Sequence, residues 1–123
     1  MAHSVEFEQL VDDAKSRVRE VSVPEFAQWQ ASGRHAILID VREDLEWQAG
    51  RAQGAVHLGR GVIERDIVAA VPDKATPVVL YCGGGFRSAL AADNLQRMGY
   101  SAVWSLAGGW KAWLAAALPT TAE

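Results

Sequence analysis

The chain has 123 residues, 50% hydrophobic and 22% charged, with a formal net charge of −3 at pH 7. That length and composition predict one soluble globular domain with a core of its own. The mild negative charge gives no reason to expect nucleic acid or an anionic membrane as partner, and no apolar run approaches the ~18–20 residues of a membrane span. Residues Met1 to Glu6 lead into acidic, amphipathic sequence unlike a signal peptide. The single cysteine, Cys82, excludes an internal disulfide and an internal resolving thiol and fits a reducing compartment, so the expected location is the cytoplasm. His3, His35 and His57 are scattered without ligand spacing, so no metal site is expected, and no cofactor.

Taken in order, Val5 to Val21 places Phe7, Leu10, Val11, Ala14, Val18 and Val21 in steps of three and four, which predicts an amphipathic N-terminal helix within residues 1–21. Ser22-Val23-Pro24-Glu25 opens a second helix, with Ser22 as cap, proline in the first turn and Glu25 completing a capping box. That helix runs to about Ala31. Ala36 to Ile39 reads as a buried strand, Asp44 to Ala49 as a short helix ended by Gly50, and Gly54 to Leu58 as a second strand. A helix follows over Val62 to Val71, then a strand over Val78 to Tyr81, a helix over Ser88 to Gly99, a strand over Ala102 to Trp104 and a closing helix from Trp110 to Ala117. Strands alternating with helices predict an α/β fold: a central parallel sheet with helices on both faces, over residues 22–119, plus the N-terminal helical extension. In such sheets ligands bind beyond the carboxyl ends of the strands, where Asp40 and Cys82 both fall.

The chemistry concentrates in Tyr81-Cys82-Gly83-Gly84-Gly85-Phe86-Arg87-Ser88. A lone buried cysteine is ordinarily a small hydrophobe. Three glycines after it are poor core material, but they let successive backbone N–H groups turn inward into an anion-binding nest. The helix that follows adds the positive end of its dipole, and Arg87 adds a cation. The arrangement suits a nucleophilic, anionic sulfur and needs no histidine base. A plain tight turn is the bland alternative.

This loop resembles the active-site loop of rhodanese-domain sulfurtransferases. Leu38-Ile39-Asp40-Val41-Arg42-Glu43 with Glu46-Trp47, Gly50 and Gly54-Ala55-Val56-His57-Leu58 is similar to the family's first signature. Leu106-Ala107-Gly108-Gly109-Trp110-Lys111-Ala112-Trp113 with Leu118-Pro119 is similar to its C-terminal one. The resemblance implies that Cys82 takes a sulfane sulfur from a donor of the thiosulfate or persulfide type. The cysteine becomes a persulfide and passes the sulfur to cyanide or a thiol, with a protein persulfide donor or acceptor as a further partner. Gly83, Gly84, Gly85, Phe86, Arg87 and Ser88 would bind the anion. Related cell-cycle phosphatases place five residues between cysteine and arginine; here four separate Cys82 from Arg87, which favours sulfur over a phosphoryl group. A phosphatase or arsenate reductase, and a persulfide carrier with little small-molecule turnover, are the competing readings. Gly83 stands where many members carry a second basic residue, which weakens the expectation for thiosulfate. Phe86, Arg51 and Ala117 also depart from the pattern.

The supporting residues read less sharply. Asp40 is either a helix cap near Glu43 or, by the resemblance, an organiser of the loop. Arg42 is placed at the mouth, or in a surface pair with Glu46 or Asp44. Arg60 is a candidate for the rim. The five tryptophans read as packing residues, with Trp47 or Trp110 available to wall the mouth, and His57 reads as structural.

Overall fold

The computed structural model describes residues 3–123. Its strands are β1 (Arg19–Val21), β2 (Ile37–Asp40), β3 (Arg51–Ala52), β4 (Val56–His57), β5 (Val78–Tyr81), β6 (Val103–Leu106) and β7 (Thr120–Thr121). Its helices are α1 (Val5–Lys15), α2 (Val23–Ala31), α3 (Asp44–Ala49), α4 (Ile63–Ala70), α5 (Phe86–Arg97) and α6 (Gly109–Ala115). Five strands form the central sheet in the order β1-β6-β5-β2-β4, every pairing parallel. β3 and β7 make a separate antiparallel pair.

The central strand β5 is buried along its whole length, and its side chains divide by parity. Val78 and Leu80 join Ile39 in one core with Ile63 and Ile67 of α4 and Ala91, Ala92 and Leu95 of α5. Val79 and Tyr81 join Leu38 in a second core with Val23 and Phe26 of α2 and Trp113 of α6. Helices therefore cover both faces of a parallel sheet, as the alternating elements predicted.

Local signals account for α2. Ser22 Oγ accepts from the Glu25 N–H at 3.2 Å, and the Glu25 side chain accepts from the Ser22 N–H at 3.2 Å, the reciprocal capping box. The N-terminal helix is shorter than its periodicity predicted. It ends at Lys15, and Arg19–Val21 become the sheet's edge strand against β6. The physical reason is that Val18 and Val21 are buried in opposite cores, which no single helical stripe could achieve. α1 then packs on α5, burying Val11 and Ala14.

The chain leaves β2 toward β4 but leaves β5 toward β6. The carboxyl ends of β2 and β5 therefore border the point where the connections diverge, and a crevice opens there. Asp40 and Tyr81 are register partners at that edge, so Cys82 emerges from it directly.

Candidate active site

The cradle around Cys82 is shaped from behind. The first N–H groups of a helix have no carbonyl of their own to bond, and the carbonyls of Cys82 and Gly83 do not turn toward those of α5. Instead the Cys82 carbonyl accepts from Trp110 N–H at 2.7 Å and the Gly83 carbonyl from Lys111 N–H at 3.1 Å, both at the start of α6. With those carbonyls drawn toward α6, the opposite edge of the loop presents its N–H groups. Gly85 N–H donates to the Cys82 Sγ at 3.1 Å and Ser88 N–H at 3.5 Å. Among the described residues, the N–H groups of Gly83, Gly84, Phe86 and Arg87 have no backbone acceptor. Gly85 turns the chain with φ +97, a left-handed conformation suited to glycine. Beneath the sulfur, Ser88 Oγ lies 3.6 Å from Sγ and 2.7 Å from Ser105 Oγ on β6, both serines fully buried.

Arg87 does not stand free. Its Nη1 lies 2.7 Å from Glu46 Oε1 and its Nη2 3.1 Å from Oε2, a bidentate pair reaching from α5 to α3. The Glu46 hydrogen bonds, opposed by partial burial, raise the Arg87 pKa further and hold the Glu46 carboxyl below its ordinary range. The cation expected from the sequence is therefore present at the loop, but paired with Glu46. A cavity of about 1240 Å³ opens over Cys82. Glu46, Gly83, Gly84, Phe86, Arg87, Gly108, Lys111 and Ala112 border it on one side, and His3, Ser4, Phe7 and Glu8 from the α1 end border it on the other. His3, Phe7 and Phe86 form an aromatic cluster at the mouth, with ring centroids 4.7–6.1 Å apart.

A profile of the Rhodanese-like domain matches residues 22–116. The chain belongs to this family. The thiosulfate sulfurtransferase PspE of Escherichia coli K12 is 40% identical over 73 residues, 59% of this chain and 69% of PspE. The protein named "Probable adenylyltransferase/sulfurtransferase MoeZ" of Mycobacterium tuberculosis is 34% identical over 116 residues, 89% of this chain, but the chain spans only 29% of that relative's length. A solved protein of unknown function from Rhodopseudomonas palustris, described as a possible tyrosine phosphatase, superposes with a TM-score of 0.81 at 27% identity, covering 98% of this chain and 99% of that one.

Within this rhodanese-like frame the supporting residues fall away from the sulfur. Asp40 is fully buried and grips Arg42, which is 3% exposed, through Arg42 Nε and Nη2 at 2.7–3.1 Å. Burial alone would lower the Arg42 pKa, but the Asp40 hydrogen bonds and charge outweigh it. Arg42 Nη2 also donates to the Gly50 carbonyl at 2.6 Å, so the pair clasps the turn after α3. Arg42 is thus neither at the mouth nor in a surface pair. Arg60, a candidate for the rim, pairs with Glu64 at 2.9 Å and does not border the cavity. Trp47 stacks on His57 at 4.8 Å and Trp110 on Tyr81 at 6.4 Å, and neither walls the mouth. Glu46, Ser105 and Lys111 are the site residues that sequence reasoning passed over. Glu46 and Lys111 sit inside the quoted signatures, but nothing in their spacing shows that they meet the Cys82 loop.

Proposed function

We propose that the chain is a sulfurtransferase that carries a sulfane sulfur on Cys82. The observation that carries this reading is the sulfur itself. Sγ is held by the Gly85 and Ser88 N–H groups at the floor of an open cavity, in a domain whose relative PspE is named as a thiosulfate sulfurtransferase. In the first half-reaction the Cys82 thiolate attacks the outer sulfur of the donor. The donor's sulfur–sulfur bond breaks, its electron pair leaves with sulfite or with a thiolate, and a new bond joins Sγ to the transferred sulfur. The loop N–H groups that have no backbone acceptor are available to the terminal sulfur of the persulfide, where preorganised donors stabilise negative charge. In the second half-reaction cyanide or an acceptor thiol removes that sulfur and restores the thiolate.

The test is to incubate the protein with thiosulfate, then with an organic persulfide, and record intact mass without reductant. The expected result is the gain of one sulfur atom, absent in Cys82→Ser and removed by cyanide. No gain with any sulfane donor sinks the proposal. The neighbour from Rhodopseudomonas palustris motivates a second reading, phosphate-ester hydrolysis. The four-residue interval between Cys82 and Arg87 counts against it. Aryl phosphate hydrolysis lost in Cys82→Ser would restore it.

A further inference from the structure

The site carries an anion of its own. Glu46 meets Arg87 with the two parallel contacts, 2.7 and 3.1 Å, that a guanidinium offers to a bound carboxylate or oxyanion. Glu46 is also fixed from its own side: Oε1 accepts from Glu43 N–H at 3.0 Å at the start of α3. The guanidinium fork is therefore committed before a donor arrives.

The charges around the cavity lead the same way. Among the described residues, the ionisable side chains on its border are Glu8 and Glu46 against Arg87 and Lys111, with His3 and Cys82 alongside. The two acids offset the two bases, so these four bordering side chains add no net positive charge to the pull of the loop N–H groups on a dianion. Gly83 supplies no cation, and a Cβ there would stand 3.2 Å from Arg87 Nη2. Phe7, Phe86 and Ala112 add an apolar stretch of wall. Coulomb repulsion scales with ligand charge, so a dianion beside Glu46 meets twice the penalty that a monoanion does. A persulfide on an organic carrier, reacting as the neutral R–S–SH, brings no charge at its reacting end and carbon to lay against the aromatic side chains.

Building on the sulfur-transfer reading above, we infer that Glu46 is a specificity-determining residue, which occupies Arg87 and turns the site from inorganic dianionic donors toward organic persulfides. The favoured loading step is then attack of the Cys82 thiolate on the outer sulfur of R–S–SH. The donor's sulfur–sulfur bond breaks, R–S⁻ departs with the electron pair, and Cys82–S–SH forms with the proton retained on the outer sulfur. No oxidant or reductant enters.

The experiment compares loading of the full chain by thiosulfate and by 2-hydroxyethyl persulfide, followed by time-resolved intact mass in wild type and Glu46→Gln. Glutamine keeps an oxygen to accept from Glu43 N–H while removing the charge. The wild type is expected to load faster from the persulfide, and in E46Q the thiosulfate-to-persulfide rate ratio is expected to rise about tenfold, equivalent to ~1.4 kcal/mol. Glu46→Ala carries the same expectation without the cap acceptor, so the result does not hang on one variant. A purely structural role for Glu46 would slow both donors together and leave the ratio in place. An unchanged or lowered ratio, or a wild type that prefers thiosulfate, overturns the inference while leaving sulfur transfer standing. If the wild type loads from neither donor, both fall.

Discussion

Gly109 shows how much of the cradle is decided outside it. It sits in the left-handed region at φ +53, and a Cβ there would lie 2.3 Å from the Cys82 carbonyl oxygen and 3.0 Å from the Gly83 carbonyl. Only a glycine lets α6 approach closely enough for Trp110 and Lys111 to take those carbonyls and turn the loop's N–H groups toward the sulfur. Gly109→Ala is expected to cost about 2–5 kcal/mol, combining left-handed strain with a clash against fixed backbone. Gly84→Ala, with nothing within 4 Å of the new Cβ, is expected to stay within about 0.5 kcal/mol. Urea unfolding of the two variants checks the contrast, and equal midpoints would refute the account of Gly109. The same residues explain what could be read from the chain. Cys82, Gly83, Gly84 and Gly85 are contiguous, so their combined effect on the backbone was visible in the sequence. Arg87 was visible as a cation but not as half of a pair, because Glu46 belongs to a different helix, and the Ser88–Ser105 contact joins α5 to β6 across the core.

At the level of elements, α1 raises the question of what keeps it in place. It buries only Val11 and Ala14, while Val5 and Leu10 stay exposed. A polar clasp helps: Arg17 Nε and Nη2 reach the two Asp93 oxygens on α5 at 3.0 and 2.8 Å, and Arg17 Nη2 also meets Asp13 at 3.0 Å. The Arg17 hydrogen bonds hold the Asp93 carboxyl below its ordinary 3.8, against partial burial and with help from Arg97. Because the folded pKa lies below the unfolded one, this contribution is complete above the unfolded pKa and is lost as pH falls through the folded value. The stability gap between wild type and Asp93→Asn should therefore be full at neutral pH, begin to close below about pH 4 and vanish only once the pH is below the lowered folded pKa. Melting temperatures across that range test it; a gap that persisted into acid would mean the carboxylate charge is not what matters. The elements themselves were legible where the signal was local, as in the capping box of α2 or the apolar run of β5. β1 was not, since Arg19-Glu20-Val21 has one buried residue and its strand character comes from pairing with distant β6. β3 and β7 were hidden for the same reason, being two-residue segments that become strands only against each other.

On the scale of the whole molecule, one sheet serves two cores and one site. Consecutive residues of β5 point into opposite cores, and the strand runs on directly into Cys82. A backbone shared in this way leaves little scope for one face to unfold while the other stays intact. Four of the five tryptophans report on one face: Trp113 is buried in the core on the α2 and α6 face and Trp29, Trp104 and Trp110 pack against it, while Trp47 stacks on His57. Ile67, on the buried side of α4, is fully buried in the core on the other face. Ile67→Ala removes packing the tryptophans do not touch and is expected to cost about 2–5 kcal/mol. If the sheet couples the faces, tryptophan fluorescence and far-UV circular dichroism should lose stability together in urea, with coincident midpoints displaced by the same amount. If fluorescence kept the wild-type midpoint while circular dichroism shifted, the two cores would be separate cooperative units. The Cys82 loop would then be anchored by only one of them, and its accessibility to alkylation would follow that unit alone.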